Sequence, residues 1–388
     1  MPGSSSPIDV PPRPAWQRYA KLAGLAVAAV VLMIAAIVAR PPSEMTIETG
    51  PIGGSYYQAA QKYQTFLAKR GIILRIKANP NSLEIIQNVA NPRSGVDVGF
   101  VAQQIRSVDN AEVYAVGQIE IQPLFIFASA NLGRRSTLDD LRGRRIVMPP
   151  RESATSQAAI QLFQLYDITK ENSQFVFIPL AEAVKALRQG KYLGSPVDAG
   201  AFMLAPENTA IRELAGDSGL HLVPINEVKA ISSQLSYLRA VVLPRGIYNI
   251  ADAIPPINTP LIAAPVGLIV RPGLHPYLVY TLLQAMTDTH RGPSLVSAAG
   301  DFPSIIGSEL AIEPRAETYY RTGLPWLYHE LAPWPASVID RYQWWIFAAL
   351  ILGGVYGSAR CLIVVVCLIS EPFRGRKASP PASSTMDT

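Results

Sequence analysis

Two short stretches of this chain set small and hydroxyl-bearing residues directly ahead of a helical pattern. The first is Thr49-Gly50-Pro51-Ile52-Gly53-Gly54-Ser55-Tyr56-Tyr57, and the second is Pro149-Pro150-Arg151-Glu152-Ser153-Ala154-Thr155-Ser156. The first turn of a helix carries N–H groups with no intrahelical partner and the positive end of the helix dipole, so each stretch suits a carboxylate or another small anion. Gly53 and Gly54 would let a ligand approach the backbone, and Ser55 offers a hydroxyl. Ser153, Thr155 and Ser156 offer the same chemistry in the second stretch. Tyr56 and Tyr57 can supply a hydroxyl and an apolar wall, although at least one of them falls on the apolar face of its helix and reads equally well as core. For the glycines taken alone, a structural turn is the competing reading.

Around these loops stand other candidates. Ser82 either reaches a ligand or caps a helix. Gln103 and Gln104 follow a buried strand at its C-terminal end, where open α/β sheets place ligands. Arg151 either pairs with an acidic ligand or is a solvated surface arginine. Asp97 and Asp198 start strands and read as fixing loop geometry. The ligand-binding set is then Thr49, Gly53, Gly54, Ser55, Tyr56, Tyr57, Ser82, Gln103, Arg151, Ser153, Thr155 and Ser156. Catalysis has little to build on. His221, His275, His290 and His329 are scattered without metal spacing, there is no Gly-x-Ser-x-Gly elbow, and Gly50 to Gly54 lacks the Gly-Lys-Ser/Thr of a phosphate loop. No enzyme, metal or cofactor is expected.

The elements that must position these residues repeat. Gln58 to Asp97 is 39 residues and Gln157 to Asp198 is 41, and each interval ends in a Val-Asp strand start. The first copy reads as strand 47–49, a helix from Ser55 to about Arg70 capped by Ser55 and stopped at Gly71, strand 74–76, a helix from Ser82 to about Ala90 capped by Ser82, and strand 96–101. The second reads as strand 145–148, helix 154–165, strand 175–178, helix 180–189 stopped by Gly190, and strand 197–202. Both are β-α-β-α-β, which requires a parallel sheet with right-handed crossovers. Two such lobes make a cleft. Strands at 123–128, 238–243 and 260–270 and a helix at 275–289 complete the middle. The lobes are drawn as 44–128 plus 240–320 for the first and 129–239 for the second, hinged near 128 and 240.

The formal net charge is +5, and its distribution points to a membrane rather than to nucleic acid. Arg13, Arg18 and Lys21 precede the 18-residue apolar run Leu22 to Ala39, while Arg374, Arg376 and Lys377 follow a second run from Trp344 to Ile369 that Arg360 interrupts. A cleaved signal peptide is the alternative for the first run. Its length and Ile37 at a position that should hold a small residue argue against that. All five tryptophans flank these runs, as interfacial anchors do. The organisation is a cytoplasmic tail 1–21, transmembrane helices at 22–39 and 343–370, a juxtamembrane segment 321–342 and a cytoplasmic tail 371–388, with residues 44–342 across the membrane. Cys361 and Cys367 both fall in the second run, so the exported part holds no disulfide.

Met45 to Gly50 with Gly53-Gly54-Ser55-Tyr56, Asn81-Ser82-Leu83-Glu84 and Gly95 to Val101 resemble the TAXI family of extracytoplasmic solute receptors of TRAP transporters. Leu138 to Val147 is similar to a motif opening the second lobe of many type 2 periplasmic binding proteins. Val241 to Gly246, Asp301 to Ser304, Gly323 to Leu327 and Pro333-Trp334 with Val338 to Arg341 resemble later TAXI motifs, so the resemblance spans about 45–345. It implies a type 2 periplasmic binding protein fold with an inter-lobe cleft and no enzymatic activity. It further implies a glutamate-like or dicarboxylate solute, delivery to TRAP-type permease subunits, and a bacterial inner-membrane setting with the binding domain in the periplasm. The chain departs from the family where Pro149-Pro150-Arg151-Glu152 replaces a glycine-rich loop. A sensor or scaffold on the same fold, without transport, is the rival reading.

Overall fold

The computed structural model describes residues 42–102, 112–133, 135–307, 310–331 and 333–370, with Ala26, Val30 and Met33 from the N-terminal run. The expected N-terminal membrane helix, both basic tails, Gln103 and Gln104 lie outside the described residues.

The chain order is β1 (Glu44–Thr49), α1 (Ser55–Ala68), β2 (Ile73–Ala78), α2 (Ser82–Ala90), β3 (Val98–Val101), β4 (Tyr114–Ser129), β5 (Arg145–Met148), α3 (Ala154–Leu165), β6 (Gln174–Phe177), α4 (Leu180–Gln189), a small hairpin of β7 (Lys191–Tyr192) and β8 (Ser195–Pro196), β9 (Ala199–Met203), α5 (Thr209–Ala215), β10 (Leu220–Leu222), α6 (Val228–Gln234), β11 (Arg239–Leu243), β12 (Thr259–Val270), α7 (Pro276–His290), α8 (Pro314–Thr322), α9 (Trp326–Glu330) and α10 (Pro333–Ser370). The main sheet runs β2-β1-β3-β12-β4-β9-β5-β6, with β10 on β4 and β11 on β12. At one end β2, β1 and β3 are parallel, and at the other so are β6, β5 and β9. Each trio is one copy of the sequence repeat, and antiparallel pairs join the two through β12 and β4.

The repeat keeps the same clamp in both copies. Asp97 accepts from the Thr46 N–H at 2.8 Å and Asp198 from the Arg145 N–H at 2.9 Å, tying the start of each third strand to the start of each first strand. Arg271 adds a 2.7 Å ion pair to Asp97. Two residues beyond each aspartate stands a glycine that a helix crosses closely. A Cβ on Gly99 would lie 2.6 Å from Ile85 of α2, and one on Gly200 would lie 2.9 Å from Leu187 of α4. Both helices therefore settle directly on strand backbone. Apolar faces do the rest: Ala59, Ala60, Tyr63 and Leu67 of α1 and Ala158, Ala159, Leu162 and Phe163 of α3 are all buried. Gly190 ends α4 in the left-handed region at φ 63°, the stop that the sequence signals.

Strand β4 is far longer than the 123–128 expected. Gln118, Glu120 and Gln122 alternate with apolar residues and hide its first half from a reading based on apolar runs, whereas pairing with β12 from Tyr114 to Pro123 makes it one strand with the second half. Its partner changes at Pro123, which pairs with β12, while Leu124 to Ala128 pair with β9. The chain returns at residues 223–225: the Val223 N–H donates to Ile126 and the Ile225 N–H to Pro260. Helix α6 then packs on β11 and β12, so the boundary drawn at 239/240 falls later than this return.

Residues 41–329 form one compact unit; α10 belongs to another, which takes in the chain from Glu330 onward. Within α10, Tyr342–Leu362 is 21 residues and is the described helix long and apolar enough to cross a membrane, about 30 Å at 1.5 Å per residue. The Arg360 guanidinium lies 5.3 Å over the Tyr356 ring.

The glycine contacts give a direct test. Gly99→Ala and Gly200→Ala should each lower unfolding stability by about 1–3 kcal/mol through overpacking, read by chemical melts of the full chain. Gly292→Ala, where an added Cβ meets nothing within 4 Å, should change little.

Candidate functional site

The loops after β1 and β5 meet at one small cavity of about 40 Å³. Gly54, Ser55 and Tyr56 line it from the start of α1, Ser153 and Thr155 from the start of α3, and Ser82 from the start of α2. This lies beyond the C-terminal ends of parallel strands, where open α/β sheets place their ligands. Among the described residues, no lysine or arginine lines it. The start of α1 has no side-chain cap, since its N-cap is Gly54. Its first N–H groups supply the anion-favouring end of the helix.

Two expected caps are corrected. Ser55 is the first residue of α1, and its Oγ accepts instead from the Ala205 N–H at 2.8 Å. Ser82 is likewise inside α2. Asn81 is the cap there, accepting from the Leu83 and Glu84 N–H groups, while the Ser82 Oγ accepts from the Ala154 N–H at 2.9 Å. In both cases an amide from the opposite lobe outcompetes the helix's own. Ser153 does cap α3, accepting from the Ser156 N–H.

The other expected site residues lie off the cavity. Thr49 is fully buried and donates to the Gly50 carbonyl at 3.0 Å, so it shapes the turn. Gly53, at φ 82°, is exposed and presents its carbonyl to the Asn208 Nδ2 at 3.1 Å. Tyr57 is half-buried and does not line the cavity. Ser156 is fully buried and donates to the Pro149 carbonyl at 2.7 Å. Arg151 is exposed, its guanidinium 5.9 Å over the Phe177 ring. Tyr56 combines its two readings: its ring stacks on Phe100 with centroids 5.2 Å apart, and the residue still lines the cavity. Of the histidines, His275 caps α7, His221 bonds Ser136 and His290 bonds Tyr63, which are structural roles.

Sequence reasoning missed Gln122, Leu180, Met203 and Leu204, which complete the cavity with Pro51, Pro80 and Pro149. Gln122 is 1 % exposed and its Oε1 has no hydrogen-bond partner among the described residues. Its Nε2 donates to Glu120 two residues back on the same face of β4. The signal was present as the period-2 alternation of Gln118, Glu120 and Gln122 inside an apolar segment. Glu120 faces a second cavity of about 310 Å³ that shares Ser55 with the first and is also lined by Lys62, Glu207 and His290. Burial raises the Glu120 carboxyl to about 7; the Gln122 hydrogen bond pulls it down, Glu207 pushes it up further and Lys62 opposes. Burial lowers His290 to about 4, with the Lys62 charge acting the same way, so its imidazole is neutral at ordinary pH.

The lobes are joined directly across the cleft. Besides the bonds to Ser55 and Ser82, the Ser82 N–H donates to the Glu152 carbonyl at 3.2 Å and the Leu295 N–H to the Glu207 carboxylate at 2.6 Å. A third, more open groove of about 660 Å³ runs along the rim between Ile52, Gly53 and Gln58 on one side and α4 and α5 on the other.

A family model described as NMT1-like matches residues 47–312. The chain belongs to the NMT1-like family. The match runs from β1 past α7, so it takes in both copies of the repeat and the cavity between them and leaves out α10. No curated protein matches. Among solved structures, the chain is similar to a protein of Bordetella bronchiseptica RB50 at 16% identity, covering 64% of this chain and 71% of that one with a TM-score of 0.44. It is also similar to the alkanesulfonate-binding protein SsuA from Xanthomonas axonopodis pv. citri bound to MOPS (13% identity, 64% and 73% covered, TM-score 0.41). A third is the amino acid ABC transporter substrate-binding protein AbpA from Streptococcus pneumoniae bound to L-arginine (12% identity, 63% and 88% covered, TM-score 0.39).

Two measurements probe this NMT1-like site. Ser55→Ala and Ser82→Ala each strand an N–H of the opposite lobe, part-buried at Ala205 and buried at Ala154, which should cost about 1–3 kcal/mol and increase amide exchange at Ala205 and Ala154 respectively. The raised Glu120 carboxyl means that the folded state holds its proton more tightly than the unfolded chain. Its contribution to stability is therefore complete below the ordinary carboxylate range near 4.5 and is lost as pH rises through about 7. Glu120→Gln should accordingly gain melting temperature over the parent at pH 8 and lose that advantage at pH 5.

Proposed function

We propose that this chain is a membrane-tethered solute-binding receptor that closes two lobes over a small solute and presents it to a membrane permease. The observation that carries this reading is the convergence of two helix N-termini, one from each copy of the repeat, on one cavity with an unpartnered Gln122 carbonyl. Membership of the NMT1-like family supports it. So does the resemblance to TAXI receptors, which extends the proposal to a TRAP-type permease and to a carboxylate-bearing, glutamate-like or dicarboxylate solute. Among the described residues, what the cavity offers an anion is helix N-termini and hydroxyls. The setting we propose is the bacterial inner membrane, with α10 and the N-terminal apolar run as anchors and residues 44–342 in the periplasm. The molecule binds and does not turn over its solute.

A sensor or scaffold is the second reading, and one observation favours it. The cavity between the loops measures only about 40 Å³, and the Ser55 and Ser82 oxygens accept bonds from the opposite lobe. A lobe pair that holds itself shut can serve as a fixed platform.

Calorimetric titration of the full chain in detergent with amino acids, mono- and dicarboxylates and sulfonates separates the two. The receptor reading expects at least one ligand at micromolar Kd or tighter, about −8 kcal/mol, and a more compact scattering profile on binding. A broad panel without binding, together with a membrane partner recovered by pull-down, would leave the scaffold.

A further inference from the structure

Resting on the receptor reading, we propose that Gln122 is the specificity-determining residue of the cleft, and that Glu120 decides which face of the Gln122 amide the solute meets. A side-chain amide has a donor end and an acceptor end, whereas an ionised carboxylate only accepts. Beside a carboxylate Glu120, Gln122 must therefore turn its Nε2 towards it, as found at 2.5 Å. The Oε1 is then left without a partner among the described residues, on a side chain that is only 1 % exposed and lines the cavity. A buried acceptor in that state selects for a ligand group that donates: an ammonium, an amide N–H or a hydroxyl. Next to it, the start of α1, uncapped by any side chain, provides N–H groups for a group that accepts. The cavity thus asks for a small molecule bearing a donor close to a carboxylate, and discriminates against the same skeleton without the donor.

Protonation of Glu120 reverses the preference. A neutral carboxylic acid can donate to the Gln122 Oε1, which lets the amide rotate and present its Nε2 to the cavity, where it favours an acceptor. The groups acting on Glu120 come from several elements. Gln122 lies on its own strand, Lys62, Tyr56 and Tyr63 on α1 and Glu207 before α5, while His290 at the end of α7 lines the same second cavity. Glu207 opposes ionisation and Lys62 favours it, while burial is the larger influence and places the change near neutral pH. Selectivity for donor-bearing solutes is then a property of the alkaline side.

The test uses full-length protein in detergent and two matched pairs of probes, L-glutamate with glutarate and L-aspartate with succinate, titrated at about pH 8.5 and about pH 5.5. In at least one pair the amine-bearing member should bind about tenfold or more tightly at the higher pH, and the gap should shrink at the lower pH. Gln122→Met should abolish the preference while keeping the volume. Glu120→Gln should make the preference independent of pH, and it keeps the inference testable if Gln122→Met does not fold. A preference unchanged in Gln122→Met, a glutarate or succinate preference at the higher pH, or a pH dependence that persists in Glu120→Gln would overturn the role of Gln122 and leave the receptor reading standing. No binding by any of the four probes to the parent protein would overturn the role of Gln122, and the receptor reading falls with it only if the wider panel of amino acids, carboxylates and sulfonates also fails to bind.

Discussion

One strand holds this molecule together. Strand β4 is hydrogen-bonded to β12 over Tyr114–Pro123 and to β9 over Leu124–Ala128, so a single uninterrupted backbone belongs to both ends of the sheet. The handover falls at a proline, which has no N–H to give to a ladder and therefore marks a natural place for the partner to change. Everything in the cleft follows from that placement. The polar side chains that immediately precede the handover, Glu120 and Gln122, are carried to the junction of the two lobes, with the helix starts of both repeats arranged around them. The return through Val223 and Ile225 lies beside the same point, bonded first to Ile126 and then to Pro260.

The duplication divides into what the fold needs and what the site uses. The aspartate clamps at Asp97 and Asp198 and the contact glycines Gly99 and Gly200 serve the same purpose in each copy: they fix strand starts and let a helix lie against strand backbone. The loops before α1 and α3 diverge instead. The first keeps Gly53 at a positive φ with its carbonyl turned to Asn208, while the second replaces that freedom with Pro149 and Pro150 and fastens itself through the Ser156 hydroxyl to the Pro149 carbonyl. One lobe offers an open backbone and the other a stiff wall. The two jaws are alike in construction and unlike in chemistry.

Much of this was legible in the chain. The β-α-β-α-β order in both copies, the span of α3, the Gly190 stop and the structural role of the two aspartates follow from apolar period, capping residues and spacing. Gly54, Ser55, Tyr56, Ser82, Ser153 and Thr155 do meet at one cavity. What was not legible depends on distance in space. Ser55 and Ser82 look like caps because local spacing says so, and only the folded cleft brings Ala205 and Ala154 close enough to take their oxygens. Gln122 was hidden for a related reason: a polar residue inside an apolar segment reads as a weakness of the strand until the second lobe is seen to cover it.

Those cross-cleft bonds also set the terms on which any solute binds. A neutral hydrogen bond contributes about 1 kcal/mol net, and the lobes share bonds at Ser55, Ser82, Glu152, Asn208 and Glu207. A solute therefore does not have to supply the whole free energy of closure. It shifts the balance only through contacts it makes in the closed form and lacks in the open one, and among the described side chains that line the cavity Gln122 has an Oε1 without a partner for such a contact. Closure and selectivity are then separable: serine hydroxyls and backbone amides hold the jaws together, and the glutamine on the shared strand decides what they are closed upon.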